Sequence, residues 1–160
     1  MDDLTPEDLD HLRRCVALAR DALDAGDEPF GSLLVDPDGT VLLEDRNRTA
    51  DGDQTRHPEL EIARWAAAHV AEDVRPRCTV YTSGEHCPMC AAAHGWVGLG
   101  RIVYAGSTAQ LSQWRREWGL VAGPVLPLPI NAVAPGIPVS GPAPELADEL
   151  QDLHRRAALA

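Results

Sequence analysis

Residues 78–99 read Cys-Thr-Val-Tyr-Thr-Ser-Gly-Glu-His-Cys-Pro-Met-Cys-Ala-Ala-Ala-His-Gly-Trp-Val-Gly-Leu. The run Cys78–Thr82, rich in β-branched and aromatic residues, predicts a strand. Ser83-Gly84-Glu85 predicts a turn, and a helix should start around Cys87 and continue through Ala91, Ala92 and Ala93. Cys87 and Cys90 then share the first turn of that helix. There the helix dipole and the free N–H groups favour thiolate, and the i, i+3 spacing turns both sulfurs to one side.

A second helix start lies upstream. His57-Pro58-Glu59 leads into Leu60, Ile62, Ala63, Ala66, Ala67 and Val70, and both Pro58 and Glu59 suit a first helical turn. An imidazole and two thiolates form a good ligand set for Zn²⁺, so His57, Cys87 and Cys90 are the candidate metal ligands. Three protein ligands leave the fourth tetrahedral position to water, the mark of a catalytic zinc site. The alternative from the residues alone is a structural site completed by His86 or His94. Glu59, two residues past His57, is the carboxylate placed to carry the proton of such a water, and Glu61 is its competitor.

The rest of the chain alternates strands and helices. Thr5-Pro6-Glu7 starts a helix with Leu9, Leu12, Val16, Ala19 and Leu23 in register, and Gly26 fits its stop. Gly31–Val35 and Thr40–Leu43 around Asp36-Pro37-Asp38-Gly39 read as a β-hairpin. A polar loop holding Asn47 follows. Gly100–Tyr104 reads as a strand, and Thr108–Trp118 as a helix. Seven of the thirteen Pro residues then fall in 121–144, which excludes a helix or a central strand there. The expected organisation is a core domain over 1–120, with 121–160 forming a Pro-rich arm and a terminal helix (Leu146, Leu150 and Leu153 in register) packed on the same domain or on a partner subunit. This alternation predicts a three-layer α/β domain.

Composition narrows the function classes. The chain has 160 residues, 25 acids, 14 basic residues that are all Arg, and a net charge of −11. A chain this acidic has no general attraction for nucleic acid or an anionic membrane. No apolar run reaches the ~18–20 residues of a membrane span. The acidic start, Met1-Asp2-Asp3, shows no secretory signal, and a cytoplasmic location is expected. Cys15 and Cys78 fall in apolar patterns and read as small buried hydrophobes.

The spacing His57-x-Glu59 … Cys87-x-x-Cys90 resembles the H-x-E…P-C-x-x-C signature of zinc nucleobase deaminases, with His86 standing where the signature has Pro. Glu28-Pro29-Phe30-Gly31 before the hairpin, Asn47 in the next loop and Thr82–Cys90 extend the resemblance to the cytidine deaminase-like superfamily over roughly residues 6–106. It is greatest to the branch of guanine deaminases and tRNA adenosine deaminases. The resemblance implies a three-layer α-β-α fold with a mixed five-stranded sheet, usually in a homodimer. It implies zinc on His57, Cys87 and Cys90, Glu59 as the proton carrier, and Asn47 bonded to the substrate ring. Phe30 would stack on that ring, Trp96 would lie beside it, and the Ser83 carbonyl would line the reacting amine. His86 is expected at the pocket mouth, as a possible substrate contact. Where guanine deaminases place an acid late in the fourth helix this chain has Trp118, with Glu117 next to it, and no Tyr follows Tyr104. The implied activity is zinc-dependent hydrolytic deamination of a small amino-substituted heterocycle: a nucleobase such as guanine or cytosine, a nucleoside or an amino-triazine. The alternatives are a tRNA adenosine deaminase and, in another class, a non-catalytic zinc-stabilised binding module.

Overall fold

The computed structural model describes residues 4–160. Helix α1 (Pro6–Asp24) starts at a reciprocal cap: Thr5 Oγ1 accepts the Asp8 N–H and the Asp8 carboxylate accepts the Thr5 N–H. The hairpin β1 (Gly31–Val35) and β2 (Val41–Arg46) follows, then α2 (Pro58–His69), β3 (Thr79–Gly84), α3 (Pro88–Val97), β4 (Ile102–Gly106) and α4 (Thr108–Glu117). The C-terminal segment adds α5 (Ile130–Val133), β5 (Val139–Ser140) and α6 (Ala147–Ala158). The strands form one mixed sheet in the order β2-β1-β3-β4-β5. β1 is antiparallel to both neighbours, whereas β3, β4 and β5 run parallel.

Helices cover both faces of the sheet. On one face Leu12, Val16 and Ala19 of α1 and Leu150 and Leu153 of α6 pack against Leu33, Tyr81 and Val103. On the other, Ile62 and Ala66 of α2 meet Leu34 and Val80, and Ala91 of α3 meets Ile102. Successive side chains of a strand point to opposite faces, so β1 is buried at every position and shows no polar alternation. Its first residue is glycine because α1 lies directly on it: a Cβ at Gly31 would collide with Leu18 Cβ and the Cys15 carbonyl.

The expected fifth strand comes from the Pro-rich segment, where the residue pattern alone showed none, and the exclusion of a helix there is corrected: the short α5 fits between Pro129, its N-cap, and Pro135. β5 is two residues long and sits at the sheet edge. Pro138 joins the ladder as an acceptor only, taking the Ile102 N–H at 2.9 Å, so its missing N–H costs no bond. Residues 121–129 run exposed over the surface, while α5, β5 and α6 pack on this chain's own sheet. Among the described residues no helix is long and apolar enough to cross a membrane.

One partly buried ion pair ties three elements together. Arg101 donates to both oxygens of Asp8 at 2.9 and 3.0 Å and to Ser140 Oγ at 3.1 Å, and Tyr81 Oη donates to Asp8 at 2.8 Å. Burial alone would raise the Asp8 pKa; the bonds from Arg101, the Thr5 N–H and Tyr81 outweigh it and hold the carboxyl at about 2. The ion pair between Arg20 and Glu149, which ties α1 to α6, is half exposed and contributes well under about 1 kcal/mol. Because the folded pKa of Asp8 lies below its ordinary 3.8, its contribution is present above that value and is lost as pH falls toward 2. Asp8→Asn should therefore lower stability at pH 7 by about 2 kcal/mol and flatten the acid limb of urea midpoints measured between pH 2 and 4.

Candidate active site

Two helix starts meet at one point. His57 is the N-cap of α2 and Cys87 the N-cap of α3, each in extended backbone and each followed by proline at the first helical position. Proline there loses an N–H that the helix does not use and sets φ for the first turn. The cap carbonyls enter the first helical bonds, His57 O to the Glu61 N–H and Cys87 O to the Ala91 N–H. The positive ends of both helices therefore face the cluster. His57 Nδ1 lies 3.5 Å from Cys87 Sγ and 3.5 Å from Cys90 Sγ. The three ligand atoms lie within 4.8 Å of one another, and these residues form a group able to hold a metal ion. One nitrogen and two sulfurs at this spacing match the donor chemistry of zinc.

The cluster is electrostatically poised. The bond from the Cys90 thiol, helped by His57, brings the Cys87 thiol down to about 4. Cys90, which holds the shared proton and is buried, is pushed up, and His57 is raised chiefly by its bond to Cys87. A metal ion displaces such protons on binding.

Glu59 is the second residue of α2, in its first turn, and only 6% exposed. Its Oε1 is 2.9 Å from Ser32 Oγ and 3.0 Å from Thr82 Oγ1. Ser32 and Thr82 are register partners across β1 and β3, so strand pairing itself brings the two hydroxyls to the same oxygen. Burial raises the Glu59 pKa against the opposing pull of His57 and the two hydroxyls. Glu59 also raises the Cys90 thiol, which places carboxylate and cluster within electrostatic reach. Glu61 is exposed on the outer side of α2 and does not compete.

Asn47 is buried, and its Oδ1 accepts the Thr49 N–H at 3.0 Å and the Thr49 hydroxyl at 2.8 Å. These bonds fix the amide orientation and leave its NH₂ group unbonded among the described residues. The Asn47 N–H donates to the Phe30 carbonyl, so hairpin pairing sets the two residues side by side. The Phe30 ring lies against Gly84; a Cβ there would come within 2.9 Å of Phe30 Cε1. Ser83 is buried at the end of β3, with its Oγ on the Gly31 N–H at 3.1 Å. Phe30 and Ser83 line one small cavity with Glu85, Trp114 and His154. A larger open groove of about 350 Å³ lies at the other end of β1, beside Asp36, Trp65 and His69, and none of the expected site residues reaches it.

Two expectations are corrected. Trp96 does not line this chain's pocket: it is 90% exposed. Six residues at about 100° each carry it roughly 120° around α3 from Cys90, off the buried face that holds Ala91 and His94. His86 is not at a pocket mouth: it is 1% exposed, turned inward, edge-on to the His94 ring at 5.6 Å. Its ring nitrogens have no hydrogen-bond partner among the described residues, and burial keeps the ring neutral. Neither His86 nor His94 belongs to the metal-capable group, and His94 Nε2 is bound to the Gly100 carbonyl at 2.7 Å, so neither serves as a fourth ligand.

His154 and Glu85 are among the cavity residues that the sequence did not single out. His154 follows Leu150 by four positions, so the heptad-like pattern of α6 already put it on the buried face. Glu85 accepts the Thr108 N–H at 3.0 Å and the Ile130 N–H at 2.9 Å, joining the starts of α4 and α5. No local sequence signal marks that bond, because its partners lie 23 and 45 residues away.

The cytidine and deoxycytidylate deaminase zinc-binding region matches residues 5–106 of the chain. The probable cytosine deaminase of Schizosaccharomyces pombe is 34% identical over 130 residues, 81% of this chain and 76% of that protein. The guanine deaminase of Bacillus subtilis is 36% identical over 96 residues, 59% of this chain and 61% of that protein. The chain spans only 27% of the tRNA(Ile)-lysidine synthase of Deinococcus deserti, to which it is 32% identical over 91% of its own length. A solved structure of the guanine deaminase from Nitrosomonas europaea superposes with a TM-score of 0.72 over 100% of this chain and 88% of that one; at 22% identity this likeness speaks to the fold. With the sheet order, the two helix starts and the His–Cys–Cys cluster in place, this chain belongs to the cytidine and deoxycytidylate deaminase family, whose cofactor is zinc.

Proposed function

We propose that the protein hydrolyses the exocyclic amine of a small amino-substituted heterocycle, a nucleobase before a nucleoside or an amino-triazine, with zinc held by His57, Cys87 and Cys90. The observation that carries this reading is a buried carboxylate, Glu59, beside three convergent metal-ligating atoms and outside their group. The metal supplies a Lewis acid that brings the pKa of water toward neutrality.

The protein's own groups do the rest. Glu59 accepts a proton from the attacking water as its oxygen bonds to the amine-bearing ring carbon, and it delivers that proton to the adjacent ring nitrogen. It then takes the proton of the new hydroxyl to the departing nitrogen. The exocyclic C–N bond breaks, ammonia leaves and a ring carbonyl remains. Burial, which raises the Glu59 pKa, suits a group that must both take and return a proton. Asn47, with its Oδ1 already bonded, offers an NH₂ donor to the ring, and Phe30 offers an apolar face.

A net charge of −11 with no lysine weighs against tRNA as the substrate, since a polyanion calls for a basic face. A homodimer accords with the exposure of Trp96, Val121 and Leu126, which a second copy could cover. A reducing cytoplasm accords with four free cysteines.

Ammonia release from the zinc-loaded protein should appear with at least one of guanine, adenine, cytosine, isocytosine, their nucleosides and amino-triazines. Glu59→Gln should retain one zinc per chain and lose at least about 10²-fold in kcat; near-normal turnover in that variant would sink the mechanism. Chelation should abolish turnover and lower Tm, and zinc should restore both. A zinc absorption edge showing four protein ligands would favour the non-catalytic module.

A further inference from the structure

The cavity beside Phe30 is closed by α6, which contributes Leu150 and His154. The Phe30 and His154 rings meet edge to face at 5.0 Å, and Trp114 lies 6.4 Å beyond His154. Neither ring nitrogen of His154 makes a hydrogen bond to a described residue, and the His154 side chain lines the cavity. Three other polar side chains lining this cavity are already engaged: Ser83 with Gly31, Glu85 with Thr108 and Ile130, Ser107 with Gln110. A polar group left unbonded at an apolar wall is costly unless something binds it.

We propose that His154 is a specificity residue of the substrate pocket, using one ring nitrogen to bond the cyclic amide edge (ring N–H beside C=O) of an oxo-amino base. This rests on the deaminase reading above. The pocket and the proton carrier share one framework: Phe30 is two residues from Ser32, and Ser83 is next to Thr82, the two hydroxyl residues that hold Glu59. Burial, reinforced by Arg115, lowers the His154 pKa to about 4, so its ring is neutral at working pH. A neutral imidazole has one N–H and one bare nitrogen, and an amide edge offers the complement of either. A cationic side chain would pair only with the carbonyl. The cavity is about 20 Å³, room for one water, so a base enters only as Phe30, His154 or Trp114 swings aside. That motion exchanges the Phe30–His154 contact for one with the base.

The test is binding, measured by calorimetry on zinc-loaded Glu59→Gln protein so that chemistry is silent. The probes are two pairs: cytosine against 4-aminopyrimidine, and guanine against 2-aminopurine, the second of each lacking the amide edge. Adding His154→Phe should weaken the oxo-base of the bound pair tenfold or more and its edge-free partner less than threefold. Adding His154→Gln, which keeps a donor and an acceptor, should recover most of that loss. Equal weakening of both partners would assign His154 to packing and overturn the proposal. So would no change, no rescue by Gln, or no saturable binding of any probe. The deaminase reading fails separately, if wild-type protein releases no ammonia in a Glu59-dependent way.

Discussion

Everything at the site depends on the convergence of two helix N-termini over the centre of the sheet. α2 and α3 each start with a ligand at the N-cap and proline at the next position. Their positive ends share one small volume with His57, Cys87 and Cys90. Such ends repel unless a negative charge lies between them, and two thiolates together with a carboxylate supply it. The packing of Ile62 and Ala66 against Leu34 and Val80 holds α2 in that place, so core burial offsets what electrostatics alone would oppose.

The sheet does more than support the helices. Its antiparallel step between β1 and β3 puts Ser32 opposite Thr82, and the two hydroxyls fix one oxygen of Glu59. The same step brings Phe30, just ahead of β1, beside Gly84 at the end of β3. A one-residue slip of β1 in this register would turn Ser32 to the α1 face and take one of Glu59's two hydroxyl partners away. Register, rather than any single contact, therefore links the proton carrier to the pocket wall. The C-terminal segment completes that wall from the opposite direction. Glu85 bonds the starts of α4 and α5, and α6 brings His154 onto Phe30.

Much of this was legible before the fold. The helix starts at His57 and Cys87 follow from proline and spacing, and the metal-ligating trio follows from the chemistry of nitrogen and sulfur donors. The hairpin follows from its Asp-Pro-Asp-Gly turn, and α6 from its leucines. Trp96 and His86 were misplaced for one reason. A position counted along the chain does not say which side of a helix a residue takes, nor whether the residue before a cap turns in or out. β5 was hidden because two residues between prolines carry no strand pattern; only an available sheet edge makes them a strand.

Local chemistry, written in short spacings, thus determined where the helices begin, which atoms can hold a metal and which carboxylate stands nearby. The caps, the Cys87–Cys90 pair and the His57–Glu59 step are properties of residues a turn or less apart, which backbone geometry fixes wherever the segment folds; His57 and the cysteines, 30 and 33 positions apart, are matched by donor chemistry and brought together by the fold. Tertiary structure alone decided that Glu59 is held by Ser32 and Thr82, that Phe30 faces His154, and that Trp96 points to solvent. Those relations join residues 23 to 124 positions apart or depend on the face a helix buries. Only the packing of layers selects among them.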